Sequence, residues 1–331
     1  MDEMSLVSII LPTYNVEPYL EKCLISVTGQ TYKKIEVIIV IDGATDGSYE
    51  IAKRVAENDQ RVSVIWQKNA GSGPARNNGI DHAKGEYIIF VDPDDFVDSN
   101  MVQSLMETQA KENVDLILTG CETFYENNKN DRTSIDFQYE VCRDRASTRN
   151  RYLYYFSKDL LSAPTRKLYK TSIIRDNSIR FPDLRRSQDI VFNYRYYDHI
   201  NSVCLSNIVF YHYRIDEKNY IYKLKRDYYQ TLSIIYNEIM TLCNKWGLDP
   251  NSKERTELCN YFMFSIISNI EANKHRGEEI DPILSDKTIR QIVSKSMPPR
   301  LDQKLFKIAI ICKNHLLLNL LIYLKMIIKR R

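Results

Sequence analysis

Three carboxylates stand almost side by side in FVDPDDFVD: Asp92, Asp94 and Asp95. Carboxylates so close repel one another unless something neutralises them, and a hard cation with oxygen ligands does so. Mg²⁺ or Mn²⁺ held there would keep open positions for phosphate oxygens and clamp a diphosphate as it leaves. The plainer reading is a solvated acidic turn capping the helix that starts near Asn100, and D-x-D alone favours it. Asp42, in IVIDGATDGS, could accept hydrogen bonds from a base or ribose; an Asx turn supported by Gly43 explains it equally well. Asp46 reads as the cap of the following helix. Tyr14, in PTYN, suits stacking on a nucleobase or ordinary packing. NAGSGPARNNG, from Asn69 to Gly79, reads as an anion-handling loop opening a helix, with Arg76 near a diphosphate. It has neither the G-K-[ST] ending of a P-loop nor a dinucleotide G-x-G-x-x-G.

These loops need a scaffold, and the first third of the chain alternates in type. LVSIILP (6–12), IEVIIVI (35–41), RVSVIW (ending at Trp66), EYIIFV (86–91) and DLILTG (115–120) are short apolar runs read as strands. Helices are expected between them, from about Pro18 to Gln30, Tyr49 to Glu57, Pro74 to Ala83 and Met101 to Glu112. Nearly continuous apolar runs mark parallel strands covered on both faces. Repeated β-α units of this kind build an open, mostly parallel sheet, and ligands bind outside the carboxyl ends of its strands. The loops TYN, DGATDGS, NAGSG and DPDD all sit at those ends.

The stretch from Cys121 to Asn150 is polar and weakly patterned and reads as an irregular connection. Arg151 to Arg214 is aromatic and basic, with a helix expected around Asp189 to Tyr197, and the chain from about Lys218 onward reads as all-helical. The profile of 27% charged and 44% hydrophobic residues is that of a folded protein. A net charge of +3 argues against a nucleic-acid binder. Seven scattered cysteines without a C-x-x-C pair favour reduced thiols and a cytoplasmic location. No signal peptide is read at the N-terminus, and no run reaches the roughly 18 apolar residues of a membrane span.

Taken in order, PTYN, DGATDGS, NAG…ARNNGI…A-x-GEYI and FVDPDD resemble family 2 glycosyltransferases of the GT-A fold, densely over the first 120 residues or so. KLYK (167–170), IRFPDL (179–184) and SQDIVFNYR (187–195) are similar to that family's acceptor half. The resemblance implies an α/β GT-A domain over residues 1–217, with a donor half at 1–120 and an acceptor half at 121–217, then a helical region over 218–331. It puts Pro12, Tyr14, Asn15, Asp42, Asn69, Gly71, Arg76, Asp92 and Arg214 on the nucleotide-sugar donor, and Asp92 with Asp94 on Mn²⁺ or Mg²⁺. It makes Asp189 the general base of an inverting transfer; without it, Asp189 reads as an ordinary acid at a helix N-terminus. Lys167, Arg166 and Gln188 are expected on the acceptor side. The pattern departs from the family at Ile41 and Gln188, where acids are usual, which predicts altered acceptor contacts. His212, in FYHYR, reads as a packed histidine rather than a metal ligand.

The resemblance further implies a UDP-sugar or similar donor and a glycan or lipid-linked acceptor in cell-surface polysaccharide synthesis. Nucleotidyl transfer would show a Gly- and Arg-rich signature after the first strand, which PTYNVEP lacks; a non-catalytic paralogue is the other alternative. LFKIAIICKNHLLLNLLIYLKMIIKRR, at 305–331, has the density of apolar and basic residues of an amphipathic helix. It is expected either on the inner face of the cell membrane or packed on its own domain or a second copy.

Overall fold

A computed structural model describes residues 4–125, 128–135, 137–184, 186–215 and 226–329. They fall into two compact units, one within 1–152 and 159–215, the other within 153–158 and 216–331. The boundary expected after residue 217 lies outside the described residues.

The first unit opens with β1 (Val7–Thr13), α1 (Glu17–Thr28), β2 (Ile35–Asp42), α2 (Ser48–Asn58), β3 (Val62–Gln67), α3 (Ser72–His82) and β4 (Tyr87–Phe90). The four strands pair in parallel in the order β3-β2-β1-β4. Both faces of β1 and β2 are covered, which is why VSIILPT and IEVIIVID are apolar at nearly every position. Leu20, Cys23, Leu24 and Val27 of α1 join Val7, Ile9 and Leu11 in one core layer. Ile10 points to the opposite face, where α3 lies. A Cβ on Gly79 of α3 would come within 2.3 Å of Ile10 Cγ2, so glycine alone allows that approach.

Beyond β4 the sheet becomes mixed. It is extended by β5 (Phe96–Val97), β6 (Leu116–Tyr125), β9 (Lys167–Lys170) and β10 (Val203–Ile215), with α4 (Met101–Glu112), α6 (Thr171–Asp176) and α7 (Gln188–His199) between them. The full order is β3-β2-β1-β4-β9-β6-β10-β5. β9 runs antiparallel to both its neighbours, and β10 runs parallel to β6. The stretch expected to be irregular instead carries the end of β6, β7 (Asn128–Ile135), β8 (Glu140–Cys142) and the start of α5 (Arg145–Ser157). Among the described residues β7 pairs with β6 alone, so its backbone ladder rather than an apolar repeat defines it, and its sequence NKNDRTSI carries no strand signal.

Every described element of the second unit after residue 226 is a helix: α8 (Tyr228–Lys245), α9 (Lys253–His275), α10 (Asp281–Ser285), α11 (Lys287–Lys295), α12 (Leu301–Ile311) and α13 (His315–Lys329). Leu232, Tyr236, Phe262, Ile266, Ile292, Phe306 and Leu318 are among its buried side chains. Ser252 and Asp286 cap α9 and α11 by accepting the N–H groups of Arg255 and Ile289. Among the described residues no helix is long and apolar enough to cross a membrane. All seven cysteines are free, and all but Cys312 are buried.

Candidate active site

The four parallel strands end at one rim, and the loops that leave them are tied together. Pro12 is buried within β1, and Tyr14 just beyond it is exposed. Asn15 adopts φ 48°, and its side-chain oxygen accepts the Thr45 N–H at 2.8 Å, joining the loop after β1 to the loop after β2. Asp46 accepts from the Ser48 and Glu17 N–H groups, serving the first turns of α2 and α1 together. Asp42 ends β2 and is only 2% exposed. Its Oδ1 accepts from Gln67 Nε2 and Ala70 N, and its Oδ2 from Gly71 N, each at 2.8 Å. Asn69 Nδ2 donates to the Asp42 carbonyl at 3.0 Å. Asp42 thereby shapes the loop after β3. Gly71, at φ 101°, lets that loop turn into α3.

The three clustered carboxylates take different directions. Asp92 accepts from Arg76 Nη2 at 2.7 Å, and the Arg76 guanidinium lies 5.4 Å over the Phe181 ring. Arg76 is nearly fully buried, yet its Nε has no partner among the described residues. Asp95 turns inward, accepting from Tyr211 Oη at 2.6 Å and Arg214 N at 2.8 Å. Burial, with the charges of Asp92 and Asp94, pushes its carboxyl up to about 8. The Tyr211 hydroxyl in turn accepts the Asp92 N–H at 3.1 Å, so it sets the backbone of the DPDD turn from the far strand β10. Asp94 is half-buried, and burial together with Asp92 raises its carboxyl to about 6. Arg214 Nε donates to the Asp94 carbonyl at 2.8 Å while its guanidinium lies 4.2 Å over Tyr19.

Asp92 and Asp94 offer the carboxylate oxygens that a hard divalent ion takes, with Asp92 also paired to Arg76. Among the described residues no three His, Cys, Asp or Glu side chains surround one point. A shell completed by phosphate and water suits Mg²⁺, which is commonly held by one or two carboxylates. His212 is engaged at both ring nitrogens, by Glu122 at 2.9 Å and Asp98 at 2.8 Å, and stacks on Phe96 at 4.4 Å.

Asp189 is the second residue of α7, where the helix dipole favours an acid. Its carboxylate accepts the Ile190 N–H at 3.1 Å and has no ion pair among the described residues. Burial pushes its carboxyl up, while the Arg76 charge acts the other way; Asp92 also reaches it electrostatically. Asp189, Arg76 and Asp92 thus form one charge cluster, although Asp189 lies far from both in sequence. Gln188 donates from Nε2 to Ser72 Oγ at 2.5 Å, and its buried Oε1 has no partner among the described residues. Phe192 of α7 stacks on Phe181 at 4.0 Å, and both meet Phe90 edge-on. Lys167 does not line an acceptor surface: it is 1% exposed, and its ammonium donates to the carbonyls of Ala163 and Thr165. Arg166 is buried too, donating to the Asp159 carbonyl and to Cys121 Sγ. Both cations were drawn inward because the loop before β9 leaves carbonyls that need donors.

Residues 8–177, just over half of the chain, match the family model of Glycosyl transferase family 2. The chain belongs to that family. This glycosyltransferase is 33% identical over 308 residues to the uncharacterized glycosyltransferase EpsJ of Bacillus subtilis (strain 168), covering 88% of this chain and 84% of the relative. It is 26% identical over 241 residues to the poly(ribitol-phosphate) beta-N-acetylglucosaminyltransferase TarS of Staphylococcus aureus (strain Mu50 / ATCC 700699), covering 70% of this chain and 40% of the relative. The crystal structure of S. aureus TarS 1-349 in complex with UDP-GlcNAc superposes with a TM-score of 0.69 at 20% identity, covering 97% of this chain and 91% of that one. The mannosyltransferase PcManGT from Pyrobaculum calidifontis, in complex with GDP-Man and Mn²⁺, gives a TM-score of 0.53 at 15% identity, covering 95% and 88%. These likenesses show the GT-A fold.

Several residues that build the glycosyltransferase's site carry no local signal. Asn77 forms a two-way bridge to the Phe181 backbone, donating to its carbonyl at 2.8 Å and accepting its N–H at 2.9 Å. Asn193 holds the loop before β9, donating to the Leu161 and Ala163 carbonyls and accepting from the Tyr169 hydroxyl. Tyr211 was hidden in the same way, because its partners Asp92 and Asp95 are long-range. Of the loop contacts, those of Asp42 are the most consequential for stability. Asp42→Ala is expected to lower stability by about 2–4 kcal/mol, since two backbone N–H groups and the Gln67 amide lose their acceptor. Urea denaturation checks this; an unchanged midpoint would mean the loop after β3 holds itself.

Proposed function

We propose that this glycosyltransferase moves a sugar from a UDP-sugar to a hydroxyl of a glycan or lipid-linked acceptor during synthesis of a surface polysaccharide, inverting the anomeric centre. The single observation that carries the reading is the pair of unlike carboxylate environments at one rim. Asp92 and Asp94 stand beside Arg76, whereas Asp189 has a raised pKa and no ion pair among the described residues. The UDP preference draws support from the UDP-GlcNAc bound to TarS, and a polymeric acceptor from that relative's name, a poly(ribitol-phosphate) beta-N-acetylglucosaminyltransferase. In this reading residues 1–120 form the donor half and 121–217 the acceptor half.

The donor diphosphate lies against Arg76, whose unpartnered Nε is available to a phosphate oxygen, and beside the N-terminus of α3. The exposed Tyr14 ring offers a stacking surface to the nucleobase. Asp92 and Asp94 would hold Mn²⁺ or Mg²⁺, which when bound neutralises the charge that builds on the leaving diphosphate. Asp189 takes the proton of the acceptor hydroxyl as its oxygen bonds to the anomeric carbon, on the face opposite the diphosphate. The bond from carbon to the diphosphate oxygen breaks in the same displacement, and the nucleoside diphosphate departs. Gln188, where the family pattern has an acid, brings a neutral amide next to that base.

A donor screen tests the reading directly: UDP-, GDP- and other nucleotide-sugars with Mn²⁺, Mg²⁺ or chelator, on the wild type and Asp94→Ala. Release of UDP alone, dependent on metal and lost in the variant, is the expected result. Turnover of a GDP-sugar, or release indifferent to chelator, would overturn the donor or the metal assignment respectively.

A further inference from the structure

A single hydroxyl is tied to both ends of the turn that presents the clustered acids. The Asp95 N–H donates to the Asp92 carbonyl at 3.0 Å, closing a turn with Pro93 and Asp94 at its central positions. Proline suits the first of these, because its ring presets the backbone angle. The Tyr211 hydroxyl accepts the Asp92 N–H at 3.1 Å and donates to Asp95 Oδ2 at 2.6 Å, so it spans the turn from end to end. That hydroxyl is itself held in place. Tyr211 is 1% exposed and packs in one core layer with Cys23, Val91 and Val97. It pairs with Val97 across β10 and β5, and the neighbouring Phe210 carbonyl accepts the Asp98 N–H at 2.9 Å.

Asp95 is spent on the same strand. Its Oδ1 accepts the Arg214 N–H at 2.8 Å, so β10 engages both of its oxygens and leaves Asp92 and Asp94 as the pair that meets an ion. We propose that Tyr211 is the positioning residue of that pair. Its hydroxyl fixes the spacing of the Asp92 and Asp94 carboxylates by holding the two ends of their turn, with Asp95 as its partner rather than a third ligand. The assignment rests on the metal-assisted donor reading above and adds a residue 119 positions away from Asp92 in the chain. Removing the Tyr211 oxygen alone leaves the Asp92 N–H without its acceptor and Asp95 one donor short, while the ring stays in the core. Loss of a group that orients a metal's ligands typically lowers metal affinity about 10–100-fold.

Calorimetric titration of UDP into the full chain, in chelator and across a range of Mn²⁺ concentrations, tests this on the wild type, Tyr211→Phe and Tyr196→Phe. Tyr196 is the control. Its buried hydroxyl bridges in the same manner, accepting the Lys170 N–H at 2.8 Å and donating to the Asp115 carbonyl at 2.7 Å, outside the acid turn. Tyr211→Phe is expected to bind UDP in chelator as the wild type does, yet to need about 10–100-fold more Mn²⁺ for the same tightening. Tyr196→Phe should change neither quantity. Melting temperatures verify the folds. Asp95→Asn, which removes one of the two carboxylate oxygens, should shift the Mn²⁺ requirement in the same direction and carries the test where Tyr211→Phe does not fold. An unchanged Mn²⁺ requirement in the folded variant, or an equal shift in Tyr196→Phe, would overturn the proposal and leave the metal reading intact. Wild-type UDP binding indifferent to Mn²⁺ would overturn the metal reading itself, and the role of Tyr211 with it.

Discussion

Asp189→Asn is expected to lower kcat about a thousand-fold while leaving the affinity for the sugar donor nearly unchanged. A positioned general base contributes about 10²–10⁴ in rate, and Asn keeps the shape of the side chain without its ability to take the proton. The pH profile supplies a second signature. The base works when deprotonated, and burial raises the Asp189 carboxyl above its ordinary range. The wild-type rate should therefore climb with pH through that raised pKa and level off above it. In the Asn variant this rising limb should disappear. Single-turnover rates of both proteins across pH, alongside calorimetric donor binding, make the comparison; a variant that keeps its turnover would remove Asp189 from the chemistry.

Asp94→Asn should act in two opposite directions. Transfer in the presence of Mn²⁺ or Mg²⁺ is expected to fall at least about a hundred-fold, because the ion loses one of two carboxylates and the diphosphate its counter-charge. The metal-free protein should become more stable at pH 8. The sign follows from linkage: burial and Asp92 raise the Asp94 carboxyl from 3.8 to about 6, so the folded protein binds this proton more tightly than the unfolded chain. Stability from this group is greatest at low pH and is lost as pH rises from the unfolded value through about 6. Asn carries no charge and avoids that loss, a gain on the order of 2 kcal/mol at pH 8. Thermal melts of both proteins in chelator at pH 4 and pH 8 separate the cases. The variant's advantage should be present at pH 8 and absent at pH 4, and a variant no more stable at pH 8 would show that Asp94 is not held at a cost.

The two substitutions differ in what made their positions visible. Asp92, Asp94 and Asp95 of FVDPDDFVD are close neighbours in sequence, so their mutual repulsion is legible without any structure. Asp189 is one acid in SQDIVFNYR, and only the family pattern singles it out. Its environment depends on Arg76 and Asp92, which reach it only once α7 has packed through Phe192 onto Phe181 and Phe90. Lys167 shows the converse. It is expected on the acceptor side, yet the carbonyls of Ala163 and Thr165 drew it inside.

Local order determined the strands and helices of the first 120 residues and the gathering of their polar loops at one rim. Apolar runs of strand length alternating with helical spacing leave a chain few ways to bury both. The continuous apolar character of β1 and β2 likewise follows from sheet faces covered on both sides. Tertiary structure alone decided the rest: that β9 enters the sheet antiparallel between β4 and β6, and that NKNDRTSI is a strand. It also decided that Asp42 accepts from the loop after β3, and that Tyr211 holds Asp95 from 116 residues away and the Asp92 N–H from 119. The physical reason is the range of the forces involved. Hydrophobic periodicity and turn chemistry act within about ten residues and are written along the chain. A buried donor accepts whichever partner the fold brings within about 3 Å, and nothing in the neighbouring residues says which one that is.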